Sequence, residues 1–181
     1  MKTLAILGLV AVSFGCSAPT SPTPDTASTA SATAHLVDGS GRTVGKATLS
    51  ESRDGVRVIV DVAGLPPGDK AVHIHEVGHC EVPSFDSAKA HFNPTGKEHG
   101  QANPRGPHGG DLPNISIDAS GQGRLDVTTN QITLRQGPAS LFDADGSALI
   151  IHAAPDDMRS DPAGNSGGRI ACGATASAAR G

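Results

Sequence analysis

The chain has few aromatic side chains: four of its 181 residues are Phe, and it contains neither Trp nor Tyr. This shortage argues against a surface that stacks the bases of single-stranded nucleic acid. Positive charge is also scarce, because 14 Lys and Arg stand against 18 Asp and Glu and the formal net charge is -4. A general nucleic-acid binder carries the opposite excess, so no nucleic-acid partner is expected.

The longest hydrophobic run lies at the start of the chain. Residues 1–16 read MKTLAILGLVAVSFGC, with one Lys before a mostly apolar stretch. This stretch is too short to span a bilayer and is typical of a secretory signal peptide. The glycine before Cys16 resembles the lipobox of bacterial lipoproteins, in which that cysteine is acylated; an ordinary cleaved signal peptide is the alternative. Both predict an exported protein of the periplasm or cell envelope, and the lipoprotein type adds a membrane anchor at Cys16.

The next segment, residues 17–33, is built mainly from Ser, Thr, Ala and Pro and carries a single charge. Such a composition cannot bury a core, so it predicts a disordered linker. The whole chain is 36% hydrophobic and contains 23 glycines, which is enough apolar content for one globular domain. We expect that domain at residues 34–175, followed by a frayed tail at residues 176–181.

Alternating hydrophobic residues predict β-strands. Valine occupies positions 56, 58, 60 and 62, and a period of two is typical of a strand with one buried face. Residues 71–75 alternate in the same way, and glycine-containing turns such as Asp54-Gly55 separate the candidate strands. No segment has a sustained helical period. An all-β sandwich or barrel is the expected architecture.

Metal-ligand side chains are concentrated in this predicted domain. His73 and His75 are two apart on a predicted strand, so they point the same way and lie about 6.5–7 Å apart. Residues 91–113 hold five Gly and four Pro, together with a set that suits tetrahedral zinc: His91, His99, His108 and Asp111. His152 ends an apolar run. Two overlapping metal sets result if one imidazole serves both through its two ring nitrogens.

In this order and spacing, the motifs resemble the copper/zinc superoxide dismutase family. The matching segments are His73-Ile-His75-Glu76, His91-Phe-Asn-Pro94, His99, His108-Gly-Gly-Asp111, Ile151-His152, Asp156-Asp157 and Gly168-Arg169-Ile-Ala-Cys172-Gly173. The resemblance implies a Greek-key β-sandwich or flattened barrel of about eight antiparallel strands with long metal-binding loops. It also implies dismutation of superoxide to dioxygen and hydrogen peroxide, as antioxidant defence in the cell envelope.

The resemblance further implies one copper and one zinc in each chain. The implied copper ligands are His73, His75, His91 and His152, and the implied zinc ligands are His91, His99, His108 and Asp111. His91 would bridge the two metals and carry a proton. Asp156 would link one ligand of each metal, and Arg169 would guide the superoxide anion to copper. Cys80 and Cys172 would form the intrachain disulfide.

Two other functions fit parts of the sequence. Residues 75–79 spell H-E-x-x-H, a metalloprotease motif in which Glu76 is the base and His79 a second ligand. That motif requires a helix, whereas the residues before it alternate as a strand. The second alternative is a non-enzymatic copper- and zinc-binding protein of the same fold, which loss of His152 or Arg169 would favour. The resemblance leaves the chain either a homodimer or a monomer.

Overall fold

The computed structural model of the protein describes residues 30–177. The predicted signal peptide, Cys16, the linker as far as residue 29 and residues 178–181 lie outside this range. Within it, the strands are β1 (Ser31–Asp38), β2 (Thr43–Ser52), β3 (Gly55–Val62), β4 (Gly68–Lys70), β5 (Val72–His75), β6 (Ile115–Ile117), β7 (Gly123–Thr129), β8 (Ala148–His152), β9 (Arg169–Ala174) and β10 (Ala176–Ser177). One short 3-10 helix spans Asp86–Ala88. None of the described residues forms a helix long and apolar enough to cross a membrane.

The strands form one antiparallel sheet that closes almost completely into a barrel. Its order is β4-β6-β7-β3-β2-β1-β9-β8-β5, and β10 pairs with β1. Strand β4 pairs with β6 and β5 pairs with β8, yet only Ala71 separates β4 from β5 in the chain. The first and last strands of the sheet, β4 and β5, are therefore consecutive in the chain, and this connection brings the two edges of the sheet together. The predicted all-β Greek-key fold is confirmed; β4 and β10, of three and two residues, add to the expected strands.

Both ends of the predicted domain extend further than expected. Strand β1 begins at Ser31, so residues 31–33 belong to the sheet and not to the linker. Ala32 is fully buried. Small residues alternate between the core and the surface in this part of β1, and the composition of the segment does not reveal that alternation. At the other end, residues 176–177 pair with β1. The frayed tail predicted at residues 176–181 is therefore wrong for these two residues.

The core of the barrel is made by the inward-facing residues of its strands. The valines at positions 56, 58, 60 and 62 are buried, as their alternation predicted. On the outer face of the same strand, Arg57 lies 2.6 Å from Asp126 of β7. Burial of one such side chain stabilises a fold by about 1.5–3 kcal/mol, whereas an exposed ion pair contributes about 0–1 kcal/mol. The apolar core therefore holds the scaffold on which the site is built.

Two long loops leave this scaffold. The 76–114 loop joins β5 to β6, and the 153–168 loop joins β8 to β9. Phe85 of the first loop is fully buried in a small apolar cluster against β8 and β9. A disulfide between Cys80 and Cys172, with Cα atoms 5.7 Å apart, ties the same loop to β9. The disulfide implied by the family resemblance is thus confirmed.

Candidate metal centre

Four buried histidines converge where β5, β8 and the 76–114 loop meet. His73 and His75 come from β5, and His152 ends β8, the strand that pairs with β5. His91 joins them from the loop through a backbone bridge to His75. One nitrogen of each ring lies within 4.8 Å of those of the other three. The structure therefore brings together all four residues predicted to bind copper, and we call this group the copper side.

One nitrogen of each copper-side ring is buried without a hydrogen-bond partner in the described part of the chain: His73 Nδ1, His75 Nε2, His91 Nε2 and His152 Nε2. Buried polar atoms are rarely left unpaired, because each such atom costs free energy. A cation between the rings would satisfy all four nitrogens, and imidazole is a ligand that suits copper. This donor set fits the copper that the family resemblance implies.

The opposite nitrogen of two of these rings is held by the loops. His75 Nδ1 donates a hydrogen bond to the carbonyl of Lys89 over 2.9 Å. His152 Nδ1 lies 3.2 Å from the Gly167 carbonyl and 3.2 Å from Ser166 Oγ. Such partners fix the tautomer and the orientation of a ligand ring. The sequence did not indicate Lys89 or Ser166, because a backbone carbonyl and a buried serine leave no spacing pattern.

Beside the copper side, Asp111 gathers three histidine nitrogens into a second group, the zinc side. Its Oδ1 lies 3.0 Å from Nδ1 of both His91 and His99, and 3.5 Å from Nδ1 of His108. His91 Nδ1 and His108 Nδ1 are 3.4 Å apart. In a tetrahedral zinc site with bonds of about 2.0–2.1 Å, ligand atoms lie about 3.3–3.4 Å apart. All four predicted zinc ligands lie around this carboxylate, and these four separations are close to those in a zinc site.

Proximity alone also places His73 with three of the zinc-side residues. However, His73 Nε2 is hydrogen-bonded to Asp156 Oδ2 at 2.9 Å, and its Nδ1 is the unpaired atom on the copper side. His108 has its Nδ1 directed at the zinc-side carboxylate. The chemistry of the donors therefore favours His108 over His73 as a zinc ligand. His91 is common to both sides, because its two nitrogens face opposite groups.

Backbone amides hold the zinc-side carboxylate in place. Asp111 Oδ2 accepts hydrogen bonds from the amides of Gly100 and His108, each at 2.9 Å. Burial alone would raise the pKa of Asp111, but hydrogen bonds from the zinc-side histidines outweigh it and hold that pKa well below its usual range. The carboxylate is therefore ionised, which is the form that binds a metal.

A second carboxylate connects the two sides. Asp156 Oδ2 accepts from His73 Nε2 at 2.9 Å, and its Oδ1 accepts from His99 Nε2 at 3.0 Å. Asn114 fixes the backbone of Asp156 with two hydrogen bonds, one to the amide at 2.9 Å and one to the carbonyl at 3.0 Å. The family resemblance indicated Asp156, whereas nothing in the sequence pointed to Asn114. Asp156 thus orients one ring on each side.

The two sides differ in charge. Burial lowers the pKa of three copper-side rings, to about 2 for His75, about 3 for His152 and about 4 for His91. Burial also opposes a charge on His99, but its hydrogen bonds to Asp111 and Asp156 outweigh this effect and raise its pKa to about 9. Without metal at neutral pH, these three rings are therefore neutral and His99 carries a proton.

Arg169 begins β9, and its guanidinium reaches across to the 76–114 loop. Nη1 donates to the carbonyl of Phe85, and Nη2 donates to the carbonyl of Lys89. The Lys89 oxygen is the one that also accepts from His75, so a single backbone atom holds both the ring and the guanidinium. Besides burial, the charge of Arg169 contributes to the low pKa of His75 and of His152. Arg169 therefore exerts its charge on the copper side.

The H-E-x-x-H alternative is wrong. His75 ends a strand and is buried, whereas His79 is exposed, and residues 76–79 are not helical. Glu76 is exposed, and its carboxylate accepts a hydrogen bond from the amide of Ala90 at 3.4 Å. The two histidines therefore do not share the helical face on which a protease would bind zinc.

Comparisons with known proteins agree with this geometry. The family model described as copper/zinc superoxide dismutase matches residues 43–175. The protein named superoxide dismutase (Cu-Zn) 2 from Aquifex aeolicus is 52% identical over 142 residues, which cover 77% of this chain and 83% of that protein. Superoxide dismutase (Cu-Zn) from Caulobacter vibrioides is 40% identical over 146 residues, 79% of this chain and 84% of that protein. The crystal structure of a SOD-like protein from Bacillus subtilis is 41% identical and superposes with a TM-score of 0.76, covering 78% of this chain and 96% of that one.

Proposed function

The chain belongs to the copper/zinc superoxide dismutase family, and we propose which of its residues carry the activity of that family. It is an oxidoreductase that converts superoxide to dioxygen and hydrogen peroxide, with copper and zinc as cofactors. The proposed copper ligands are His73, His75, His91 and His152. The proposed zinc ligands are His91, His99, His108 and Asp111. Each chain then holds one ion of each metal, with His91 between them.

One observation carries this assignment: the four histidines that converge on the copper side each have one buried ring nitrogen without a partner among the described residues. His91 presents Nε2 to that group and Nδ1 to Asp111. Two adjacent metals that share one imidazole require this arrangement, because a ring has only two nitrogens and they point in opposite directions. A single-metal protein would not need it.

Copper, when bound, supplies adjacent redox states that can accept an electron from one superoxide and return it to another, while zinc has no redox role. The residues of the chain supply position and protons. His91 holds its Nδ1 against Asp111, which leaves its Nε2 as the atom that can carry a proton at the copper side. Asp156 keeps His73 and His99 in fixed orientations. We propose that this pairing preserves the geometry of both sides during turnover.

Arg169 is proposed to guide the substrate. Superoxide is a small anion, and the chain has a formal net charge of -4, so the overall charge opposes the encounter. A local positive field at the mouth of a site can offset such repulsion and raise the association rate. The two carbonyls of the 76–114 loop hold the guanidinium beside His75, where its charge faces the copper side.

The place of action is a separate proposal that rests on the sequence. We propose export to the periplasm or cell envelope, anchorage through a lipidated Cys16, and antioxidant defence there, as a monomer or a homodimer. The disulfide supports export, because disulfides persist mainly in oxidising compartments. The full chain should partition with membranes and the Cys16→Ala variant should not; equal partitioning would remove the lipid anchor from the proposal. Light scattering would decide between monomer and homodimer.

Metal content together with turnover tests the assignment. Purified protein supplied with both metals should bind one copper and one zinc per chain and should consume superoxide. Protein that binds zinc alone after copper has been offered would contradict the copper assignment. Protein that binds both metals but leaves superoxide unchanged would instead support the non-enzymatic metal-binding alternative.

A further inference from the structure

Gly164 lies in the 153–168 loop, where it is buried and has a φ of 61°. Its amide donates to the carbonyl of Ser160 at 2.6 Å, and its carbonyl accepts from the amide of Asp157 at 2.9 Å. These two bonds fix the backbone at Gly164, where an added Cβ would point at the carboxylate of Asp156. The residue is thus fixed next to the hydrogen bond that connects the copper side to the zinc side.

The space beside Gly164 is completely filled. A Cβ at this position would overlap Asp156 Oδ1 and would lie 2.7 Å from His99 Nε2, closer than real Cβ atoms approach other heavy atoms. The carboxylate has little freedom to retreat, because its oxygens accept hydrogen bonds from His73, His99 and the amide of Met158. Any side chain at position 164 would therefore displace the carboxylate from His99.

We propose that Gly164 is a positioning residue of the metal centre: the absence of its side chain allows Asp156 to bridge His73 and His99. The main consequence concerns zinc, because His99 is a zinc-side ring that depends on this carboxylate for its orientation. The inference rests on the assignment of His99 to zinc made above. Loss of partners that orient ligands typically weakens metal binding by about 10- to 100-fold.

A glycine at positive φ has a simpler explanation, since other residues adopt this backbone conformation at a cost. Gly96 separates the two explanations. It lies in the 76–114 loop with a φ of 62°, and a Cβ at its position would meet no atom within 4 Å. Alanine therefore has nearly the same backbone cost at both positions, and only at position 164 does its methyl group strike the carboxylate.

The experiment measures zinc release from the zinc-loaded protein into a strong chelator, with circular dichroism as a check of folding. Gly164→Ala should release zinc about 10- to 100-fold faster than the parent protein. Gly96→Ala should release it within about twofold of the parent rate, the usual error for an independent site. Equal acceleration in both variants would overturn the proposal, because it would reduce the role of Gly164 to backbone conformation.

A double variant tests the route through Asp156 and remains informative if Gly164→Ala folds poorly. Asp156→Ala removes the carboxylate that the new methyl group would strike. It also releases His99 Nε2, which would lie 2.7 Å from that methyl group, so the ring can turn aside. Asp156→Ala/Gly164→Ala should therefore release zinc within about twofold of Asp156→Ala alone. A double variant that releases zinc much faster than Asp156→Ala, or that does not fold, would overturn the proposal. If the parent protein fails to bind zinc, the metal assignment itself is wrong, which is a separate outcome.

Discussion

The copper side and the zinc side of the centre differ in how the chain builds them. His73, His75 and His152 lie on β5 and β8, whose backbone ladder fixes their spacing. The ligands found only on the zinc side lie in the 76–114 loop, where two amides and three histidines surround one carboxylate. The copper side thus inherits its geometry from the barrel. The zinc side depends on a polar network in a loop, because His99, His108 and Asp111 belong to none of the described strands.

The difference in charge follows from this difference in construction. Within residues 30–177, His73 has a carboxylate partner whereas His75 and His152 have none, and burial keeps these two rings neutral. On the zinc side, two carboxylates face His99 and keep it protonated when no metal is bound. Copper binding and zinc binding should therefore respond differently to mutation, to loop stability and to pH.

The largest expected effect is the loss of copper function, without loss of zinc, on substitution of a single residue. His152→Ala should abolish copper-dependent turnover but leave most of the zinc bound, because His152 contributes its free nitrogen only to the copper side. Elemental analysis and a superoxide-consumption assay would measure both quantities. His79→Ala is the matched control, since it removes an exposed histidine and should change neither. Equal loss of both metals in His152→Ala would contradict the division into two sides.

Local sequence pattern predicts part of the copper side, whereas it predicts none of the geometry of the zinc side. The i, i+2 spacing of His73 and His75 translates directly into a shared strand face, so their convergence follows from local pattern. The zinc side was found through its residue types and the family resemblance, because no local period specifies how a loop folds. The pairing of β5 with β8 brings His152 beside His73 and His75. It depends on the register between distant strands, which the spacing of residues in the sequence does not determine.

Some residues of the centre cannot be identified from the spacing of residues in the sequence. The carbonyls of Phe85 and Lys89 hold Arg169, but every residue has a carbonyl, so residue identity does not reveal this role. Asn114 reaches Asp156 from 42 residues away in the chain. The sequence does not reveal the start of β1, because Ala and Thr are compatible with both a linker and a small-residue strand.

Reduction of the disulfide is the next largest effect, and it should act first on the copper side. The bond between Cys80 and Cys172 closes a separation of 92 residues, for which loop entropy gives at most about 4–5 kcal/mol of stability. The loop beyond Cys80 supplies the carbonyls that hold Arg169. Reduction should therefore lower the melting temperature and increase hydrogen exchange at residues 81–90 more than at residues 99–111. Uniform exchange over the whole 76–114 loop would contradict this order.

A smaller effect concerns pH and should appear on the zinc side. His99 is protonated in the metal-free protein up to pH of about 9, and zinc binds only the neutral ring. Zinc affinity should therefore rise with pH, by about tenfold per unit for one displaced proton, and level off near pH 9. Competition with a chelator at several pH values would measure the slope.

Asp156→Asn provides the control for this pH dependence. It removes one of the two carboxylates that raise the pKa of His99. The pH at which affinity levels off should therefore shift downward in this variant. The sign follows from the raised pKa: the proton on His99 stabilises the metal-free fold below about pH 6.5, and this contribution is lost as the pH rises through about 9. An identical pH profile in the variant would show that the carboxylate does not control this proton.

The smallest expected effect concerns the approach of substrate to the copper side. Arg169→Ala should slow the second-order consumption of superoxide by about tenfold without changing metal content, because steering by the field of a whole charged cleft raises association rates by about 10- to 1000-fold and a single charge supplies the low end of that range. Arg57→Ala removes the same charge from the outer face of the barrel and should have little effect. Added salt should slow the parent protein more than Arg169→Ala, since screening weakens the field that this residue supplies. Initial rates across an ionic-strength series, with metal occupancy checked, would measure both trends. Parallel salt curves with equal rates would show that Arg169 only holds the loop through its two carbonyl contacts. The positive charge beside the copper side would then have no effect on the approach of superoxide.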